Sequence, residues 1–384
     1  MSQANPPPLK NRFDLREWSG AFGDLGTLIP FLAAYISVLH MNPNGILLMF
    51  GVSLILVGWI YKTPFPVQPM KGIGATSVSQ VAIAGGLTSA VVISASLITG
   101  ILWLFLGLTG LAGKASKLVP KSALLGVILG LGFILMAEGV RMMSTSIWLA
   151  IPLLLLTLFL LSRPKIPAML LLLLIGGVIA VFQQPQLMSQ LSQIQVHAAL
   201  PSFSWGSLTS ADLLSGLFLL ALPQLPLTFG NAFLSVTAEN NKLFPDRPVT
   251  QKAVALSTAA MNIGSSMVGG IPMCHGAGGM AGHVMFGART GGSSMILGVI
   301  LLLLGLFFSD SIVTIFSIFP VFILGIILFF AGLQLALSSK DESAERVDRF
   351  IVLATAGIAI WNIGVAILFG IVIHYANKRG WIKL

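Results

Sequence analysis

Apolar runs of about bilayer length recur along this whole chain, and that rhythm limits what it can fold into. A membrane-spanning helix needs about 20 mostly apolar residues. Such segments lie near 20–40, 45–61, 68–84, 88–112, 119–140, 146–162 and 166–183. After a polar stretch from Gln183 to Ser210 they resume near 211–236, 250–268, 272–287, 291–309, 311–337, 349–362 and 363–377. The sequence therefore predicts an all-α polytopic membrane protein of fourteen segments, or thirteen if the short last pair is one helix. Charge agrees: only 9% of the 384 residues are Asp, Glu, Lys or Arg, against about 25% in soluble globular proteins. Intrinsic disorder, a disulfide-stapled fold resting on one cysteine, and a soluble nucleic-acid binder all fit poorly.

Loop charge supplies the orientation, because Lys and Arg concentrate on the cytoplasmic side. With the N-terminus inside, alternate connections carry Lys62; Lys114, Lys117 and Lys121; Arg163 and Lys165; Lys242, Arg247 and Lys252; Arg289; and Lys340, Arg346 and Arg349. Lys378, Arg379 and Lys383 put the C-terminal tail on the same side. The opposite connections, at 40–44, 85–88, 184–210 and 309–311, hold no Lys or Arg, and Arg141 is the one exception. The net charge of +9 thus sets orientation; no nucleic-acid partner is expected. The first 19 residues are polar and Pro-rich with no apolar stretch, so a cytoplasmic tail is expected there and not a cleavable signal peptide.

The two halves also repeat. At an offset near 200, Phe22-Gly-Asp-Leu-Gly-Thr-Leu28 lies opposite Leu222-Pro-Gln-Leu-Pro-Leu-Thr228. Gln68-Pro-Met-Lys-Gly72 lies opposite Ile271-Pro-Met-Cys-His275, and Val119-Pro120 opposite Phe319-Pro320. Seven spans per half is an odd number, so the second copy enters the membrane upside down. The expected organisation is a cytoplasmic tail (1–19), a first inverted repeat (20–183, segments 1–7), an extracytoplasmic connector (184–210), a second repeat (211–377, segments 8–14) and a cytoplasmic tail (378–384). Inverted repeats with helices broken at matching positions mark secondary transporters and place the binding site at the repeat interface.

The breaks are sharp. Pro64, Pro66 and Pro69 fall within six residues, and proline both removes a donor and constrains its predecessor. The backbone should run extended to mid-membrane and turn helical near Met70. Its counterpart, 269–279, should do the same from the other side, which makes the third and tenth segments half-helices with facing N-termini. Non-helical backbone at that depth must line a cavity or be buried in protein. Each helix N-terminus carries about half a positive charge, so two of them with Lys71 make about +2, suited to a dianion. Gly72, Gly74, Gly276 and Gly278 let an anion approach the backbone, although singly each is equally a small residue for tight helix packing.

The candidate site thus comprises Gln68, Met70, Lys71, Gly72 and Gly74 from one break and Cys274, His275, Gly276 and Gly278 from the other. Gln224, Thr228 and Asn231 join them at i, i+4 and i+7 on the eighth segment, lining a cavity or bonding between helices. Backbone N–H groups would hold the anion, with Gln68, Gln224, Asn231 and His275 as further donors. A cation at mid-membrane costs on the order of 3 kcal/mol or more, so Lys71 needs a partner or water. Asp24 either pairs with it structurally or neutralises the empty site and takes up a proton when the anion binds. Glu138 and Arg141, at i and i+3, read as a helix-end ion pair.

An enzyme is the rival class and fits badly. Adjacent helical residues diverge by about 100°, which separates Cys274 from His275 as a dyad. No HExxH spacing occurs, and the glycines at 276–282 lack a βαβ setting. No cofactor or metal is expected. A passive anion channel is the closer rival.

Phe22-Gly-Asp-Leu-Gly-Thr-Leu-Ile-Pro30, Pro66-Val-Gln-Pro-Met-Lys71, Leu222-Pro-Gln-Leu-Pro-Leu-Thr228 and Cys274-His-Gly-Ala-Gly-Gly-Met-Ala-Gly282 followed by Phe286-Gly-Ala-Arg289 resemble the ordered blocks of the molybdate transporters related to sulfate permeases (SulP-like). The resemblance implies a 7+7 inverted-repeat fold. A core holds spans one to four and eight to eleven; a gate holds five to seven and twelve to fourteen. It implies uptake of molybdate, and of tungstate as a second substrate, across a plasma (cell inner) membrane, with the oxyanion between the third and tenth spans. Sulfate or another tetrahedral dianion is the alternative substrate. The lipid bilayer, proton coupling and a homodimer are the partners and states considered. The C-terminal soluble domain of many sulfate permeases is not expected here. Met280 and His283-Val284 stand where the family more often has Leu and Gln-Tyr, a departure that bears on ion coupling.

Overall fold

The computed structural model describes residues 10–37, 39–81, 87–163, 166–339 and 345–382. Lys165, Lys340 and Lys383, three of the orienting cations, lie outside the described residues. The Asp14 carboxylate caps the first helix by accepting from the N–H groups of Arg16 and Glu17. That helix, α1 (Leu15–Ala21), passes through one 3₁₀ turn at Phe22–Asp24 into α2 (Leu25–Ser37). The first half continues through α3 (Pro43–Tyr61), β1 (Gln68–Pro69), α4 (Lys71–Val81), α5 (Ser89–Thr109), α6 (Lys121–Met143), α7 (Ile147–Leu161) and α8 (Ala168–Gln183). The second half holds α9 (Ser210–Leu243), α10 (Gln251–Met267), β2 (Met273–Cys274), α11 (Ala277–Met285), α12 (Gly292–Phe307), α13 (Val321–Ser338), α14 (Arg346–Trp361) and α15 (Ile363–Lys378).

Among the described residues, five helical stretches are long and apolar enough to cross a bilayer: Leu15–Ser37, Pro43–Tyr61, Ser89–Thr109, Lys121–Leu161 and Ser210–Leu243. Two helix pairs bent by 108° and 99°, beginning with α8 and α12, pass the same test together. The 41-residue stretch Lys121–Leu161 would be about 60 Å long if straight, twice a hydrocarbon core. Ser146, at φ −152° and ψ 62°, breaks it into α6 and α7. The last apolar pair is likewise two helices, because Asn362 leaves helical geometry and its side chain caps α15, which packs on α14.

Exposure is inverted relative to a soluble domain. Trp148, Phe182 and Trp361 are 87%, 81% and 79% exposed, while Glu17, Asp24, Gln68, Gln224, Asn231, His275 and His283 are buried. Lipid outside and polar groups inside a bundle produce that distribution.

The strongest packing exchanges the halves: α3 lies on α12, α5 on α10, and α6 on α13. Pairing the helices of the two halves by their order in the chain turns the first contact into the second and maps the third onto itself. Glycines allow the close crossings. A Cβ on Gly139 would stand 2.7 Å from the Gly325 carbonyl oxygen, and one on Gly325 equally close to that of Gly139.

Candidate functional site

At the centre are two strands of two residues each, paired antiparallel with Gln68 opposite Cys274 and Pro69 opposite Met273. The Met70 N–H extends the ladder by donating to the Pro272 carbonyl at 2.9 Å. Prolines forbid helix here, so each extended segment supplies hydrogen bonds to the other, which buried backbone requires. From opposite ends of this ladder the chain turns into α4, starting at Lys71, and α11, starting at Ala277. These helices have 11 and nine residues, about 16 and 14 Å, near half a hydrocarbon core.

Helix α9 reaches both helix starts. The Gln224 carboxamide oxygen accepts from the Ile73 N–H at 3.1 Å, and its Nε2 donates to Thr228 Oγ1 at 2.9 Å. The Asn231 Oδ1 accepts from the Ala277 N–H at 3.2 Å. One helix thus caps both short helices with neutral oxygens. Gln224 and Asn231 were expected as donors to an anion; here their oxygens face the helix N–H groups instead. The stripe is also not uniformly α-helical, because π-helical turns run over Gly216–Ala221 and Thr228–Ser235. Pro223 and Pro226 lie in the α-helical stretch between those turns, Leu222–Leu227.

Asp24 stands on the other side. Its Oδ1 accepts from the Thr27 hydroxyl and from Gln68 Nε2, the latter at 2.5 Å, and Gln68 Nε2 lies 2.8 Å from Thr27 Oγ1. The Asp24 Oδ2 lies 2.7 Å from where a Cβ on Gly279 would be. Asp24 of the first half therefore meets the start of α11, and Gln224 of the second half meets the start of α4. They are the two residues at matching positions of the sequence halves. Among the described residues Lys71 makes no ion pair within 4.0 Å, so the simple Asp24–Lys71 pair is not formed. Lys71 stays within electrostatic range of Asp24 and Cys274, and Asp24 is held by neutral donors.

The four glycines divide into two pairs. A side chain on Gly72 would strike the Gln224 carboxamide oxygen, and one on Gly276 that of Gln68. On Gly74 it would strike the Phe31 ring, and on Gly278 the Leu135 methyl. The first pair admits polar atoms to the backbone, and the second permits helix packing. The Gln68 oxygen, fully buried, has no hydrogen-bond partner among the described residues.

His275 is committed elsewhere. Its Nδ1 donates to the Pro66 carbonyl at 2.8 Å, and the Ser257 hydroxyl donates to Nε2 at 2.7 Å. The ring packs edge-on against Phe65, so His275 braces the extended segment and has no free nitrogen for a ligand. Met70 and Cys274 are buried. Thr27 and Ser257 were not singled out in the sequence; only the i, i+3 spacing of Asp24 and Thr27 gave a local signal. Glu138 and Arg141 form the exposed pair, at 2.5 Å, that their spacing predicts.

Short helices that start from paired extended segments, inside a bundle with an apolar exterior, define a helical membrane transporter with an SLC26-like fold. The transmembrane domain of the cyanobacterium bicarbonate transporter BicA is similar over 92% of this chain and 96% of that one, with TM-score 0.57 and 16% identity. Murine Solute Carrier 26 family member A9, an anion transporter solved in the inward-facing state, is similar over 100% of this chain and 70% of that one, with TM-score 0.62 and 10% identity. At such identities the likeness is one of fold.

The chain belongs to the molybdate transporter family. The family model described as "Molybdate transporter of MFS superfamily" matches residues 16–135 and 216–335, two stretches separated by the same offset as the sequence landmarks. Molybdate transporter 2 of Arabidopsis thaliana is 31% identical over 403 residues, covering 92% of this chain and 85% of the relative. Molybdate transporter 1 of Chlamydomonas reinhardtii is 28% identical over 482 residues, covering 93% and 90%. The superfamily in that description differs from the fold, which resembles the SLC26 structures.

Proposed function

We propose that the chain is a secondary active transporter that takes up molybdate, and tungstate as a second substrate, by alternating access. In this reading its fourteen segments form a 7+7 inverted repeat, α4 and α11 are the half-helices, and a core rocks against a gate around a mid-membrane oxyanion site. Both tails face the cytoplasm, and the membrane is the plasma (inner) membrane.

The double cap from α9 supports this reading most directly. Neutral amide oxygens of Gln224 and Asn231 accept from the N–H groups that an oxyanion would use. A neutral hydrogen bond contributes about 1 kcal/mol net and one to a charged group about 1.5–3 kcal/mol, so an arriving dianion displaces the caps favourably. Lys71 supplies the remaining charge. Gln68, Met70, Gly72, Cys274 and Gly276 form the extended floor, Gln224, Thr228 and Asn231 the opposing wall, His275 the brace, and Gly74 and Gly278 the packing behind. The names of the relatives support molybdate as the substrate.

Asp24, within reach of Gln68 and α11, is the proposed coupling residue. It binds a proton when the anion enters and releases it on the cytoplasmic side. Uptake of molybdate into proteoliposomes should saturate and accelerate with an inward proton gradient. Asp24→Asn should remove the gradient dependence while molybdate binding survives. Non-saturating, ohmic anion flux would indicate a channel and contradict the proposal.

A further inference from the structure

Away from the central site, a cavity of about 220 Å³ opens where the start of α1, the end of α7, the start of α8 and the end of α11 meet. Arg16, Arg163 and Arg289 line it together with Ser19, and among the described residues no carboxylate does. The rule that places cations on the cytoplasmic side explains why each arginine lies at this end of the bundle. It does not explain why three of them, from three separate elements, converge on one concavity without an acid.

The nearby acids are already engaged. Glu17, buried, accepts from Arg12 at 3.3 Å and from the Arg289 backbone N–H at 3.0 Å. Asp14 caps α1 and lies 3.8 Å from Arg12. Arg289 spends one guanidinium nitrogen on the Val284 and Ala288 carbonyls, and Arg163 lies over the Phe159 ring. In the loop between α11 and α12, burial lowers the pKa of Arg289, Glu17 opposes that, and the charges of Arg12 and Arg16 lower it further. Like charges are crowded here, and an anion would relieve them.

We infer that this cavity is a second anion site, for a tetrahedral phosphate-class oxyanion, which ties Arg163 to Arg16 and Arg289 and latches the cytoplasmic side shut. The inference rests on the proposed topology, in which α7 and α8 belong to the gate and α1 and α11 to the core. Empty, the cavity has nothing to tie Arg163 to Arg16 and Arg289; occupied, the oxyanion bridges the boundary. Both a free oxyanion and a phospholipid headgroup present this chemistry.

The test uses the full-length protein with the central site disabled. Inorganic phosphate is titrated into Lys71→Ala and into Lys71→Ala/Arg16→Gln/Arg163→Gln, both in phosphatidylcholine nanodiscs. The first should bind phosphate, and the second at least about tenfold more weakly, as expected for losing a charged hydrogen bond. Equal binding by the two overturns the site. A parallel arm adds phosphatidic acid to the discs. If that lipid abolishes phosphate binding by Lys71→Ala, the headgroup is the resident ligand; if binding persists, the free oxyanion is. Either result supports the site.

In phosphatidylcholine proteoliposomes, internal phosphate should slow molybdate uptake severalfold in the unmodified protein and not in Arg16→Gln/Arg163→Gln. Equal slowing overturns the latch. Unmodified protein that fails to take up molybdate in phosphate-free vesicles counts against the transport proposal instead, and the nanodisc result is unaffected.

Discussion

Gln224 and Asp24 occupy matching positions in the two halves, yet one is an amide and the other an acid. That difference assigns them different work. The Gln224 oxygen occupies an N–H of α4 without carrying charge, so an oxyanion can take its place. Gln224→Glu puts a permanent anion there. Burying the carboxylate costs on the order of 3 kcal/mol, only partly offset by the helix N-terminus, so the variant should fold with a lowered melting temperature and bind molybdate at least roughly tenfold more weakly. Unchanged affinity in a titration would argue that the anion does not sit at the start of α4. Lys71 and Asp24 were legible in the sequence because charges inside apolar spans are rare and both fall at helix breaks. The commitments of His275 to Pro66 and Ser257, and of Thr27 to Gln68, were not. Those partners lie on other segments, and no spacing within one segment encodes them.

At the scale of elements, the prolines at 64, 66, 69 and 272 announce that the chain cannot be helical there, and the paired strands are the consequence. Their register was not readable, because it depends on how the halves meet. The π-helical turns of α9 were equally hidden. The sequence suggested a uniform stripe through Gln224, Thr228 and Asn231, whereas Asn231 lies in a π turn and its oxygen meets the start of α11. Close helix crossings can be tested separately from the site. Gly139→Leu, at the backbone contact of α6 with α13, should destabilise by about 1–3 kcal/mol or more through overpacking, read as a lowered melting temperature in detergent. Gly357→Ala, which meets nothing within 4 Å, should be neutral or slightly stabilising. Similar losses in both variants would contradict the assignment of Gly139 to a tight crossing.

For the whole molecule, loop charge, repeated landmarks and exchanged helix contacts describe one arrangement. The halves interlock, with α3 on α12 and α5 on α10, and the two broken segments meet where the interlocked halves join. The helical, membrane-spanning character was legible because lipid imposes it on composition. The interlocking was not, because it is a property of two repeats together. The central claim is that a dianion binds between the starts of α4 and α11 with Lys71 supplying charge. Equilibrium titration of molybdate into purified protein, in the presence of excess sulfate, tests it most directly when the unmodified chain and Lys71→Ala are compared. With sulfate filling the arginine-lined cavity, the unmodified protein should bind one further molybdate saturably and Lys71→Ala should bind none; affinity in Lys71→Ala within about threefold of the unmodified protein, under 1 kcal/mol, would contradict the claim.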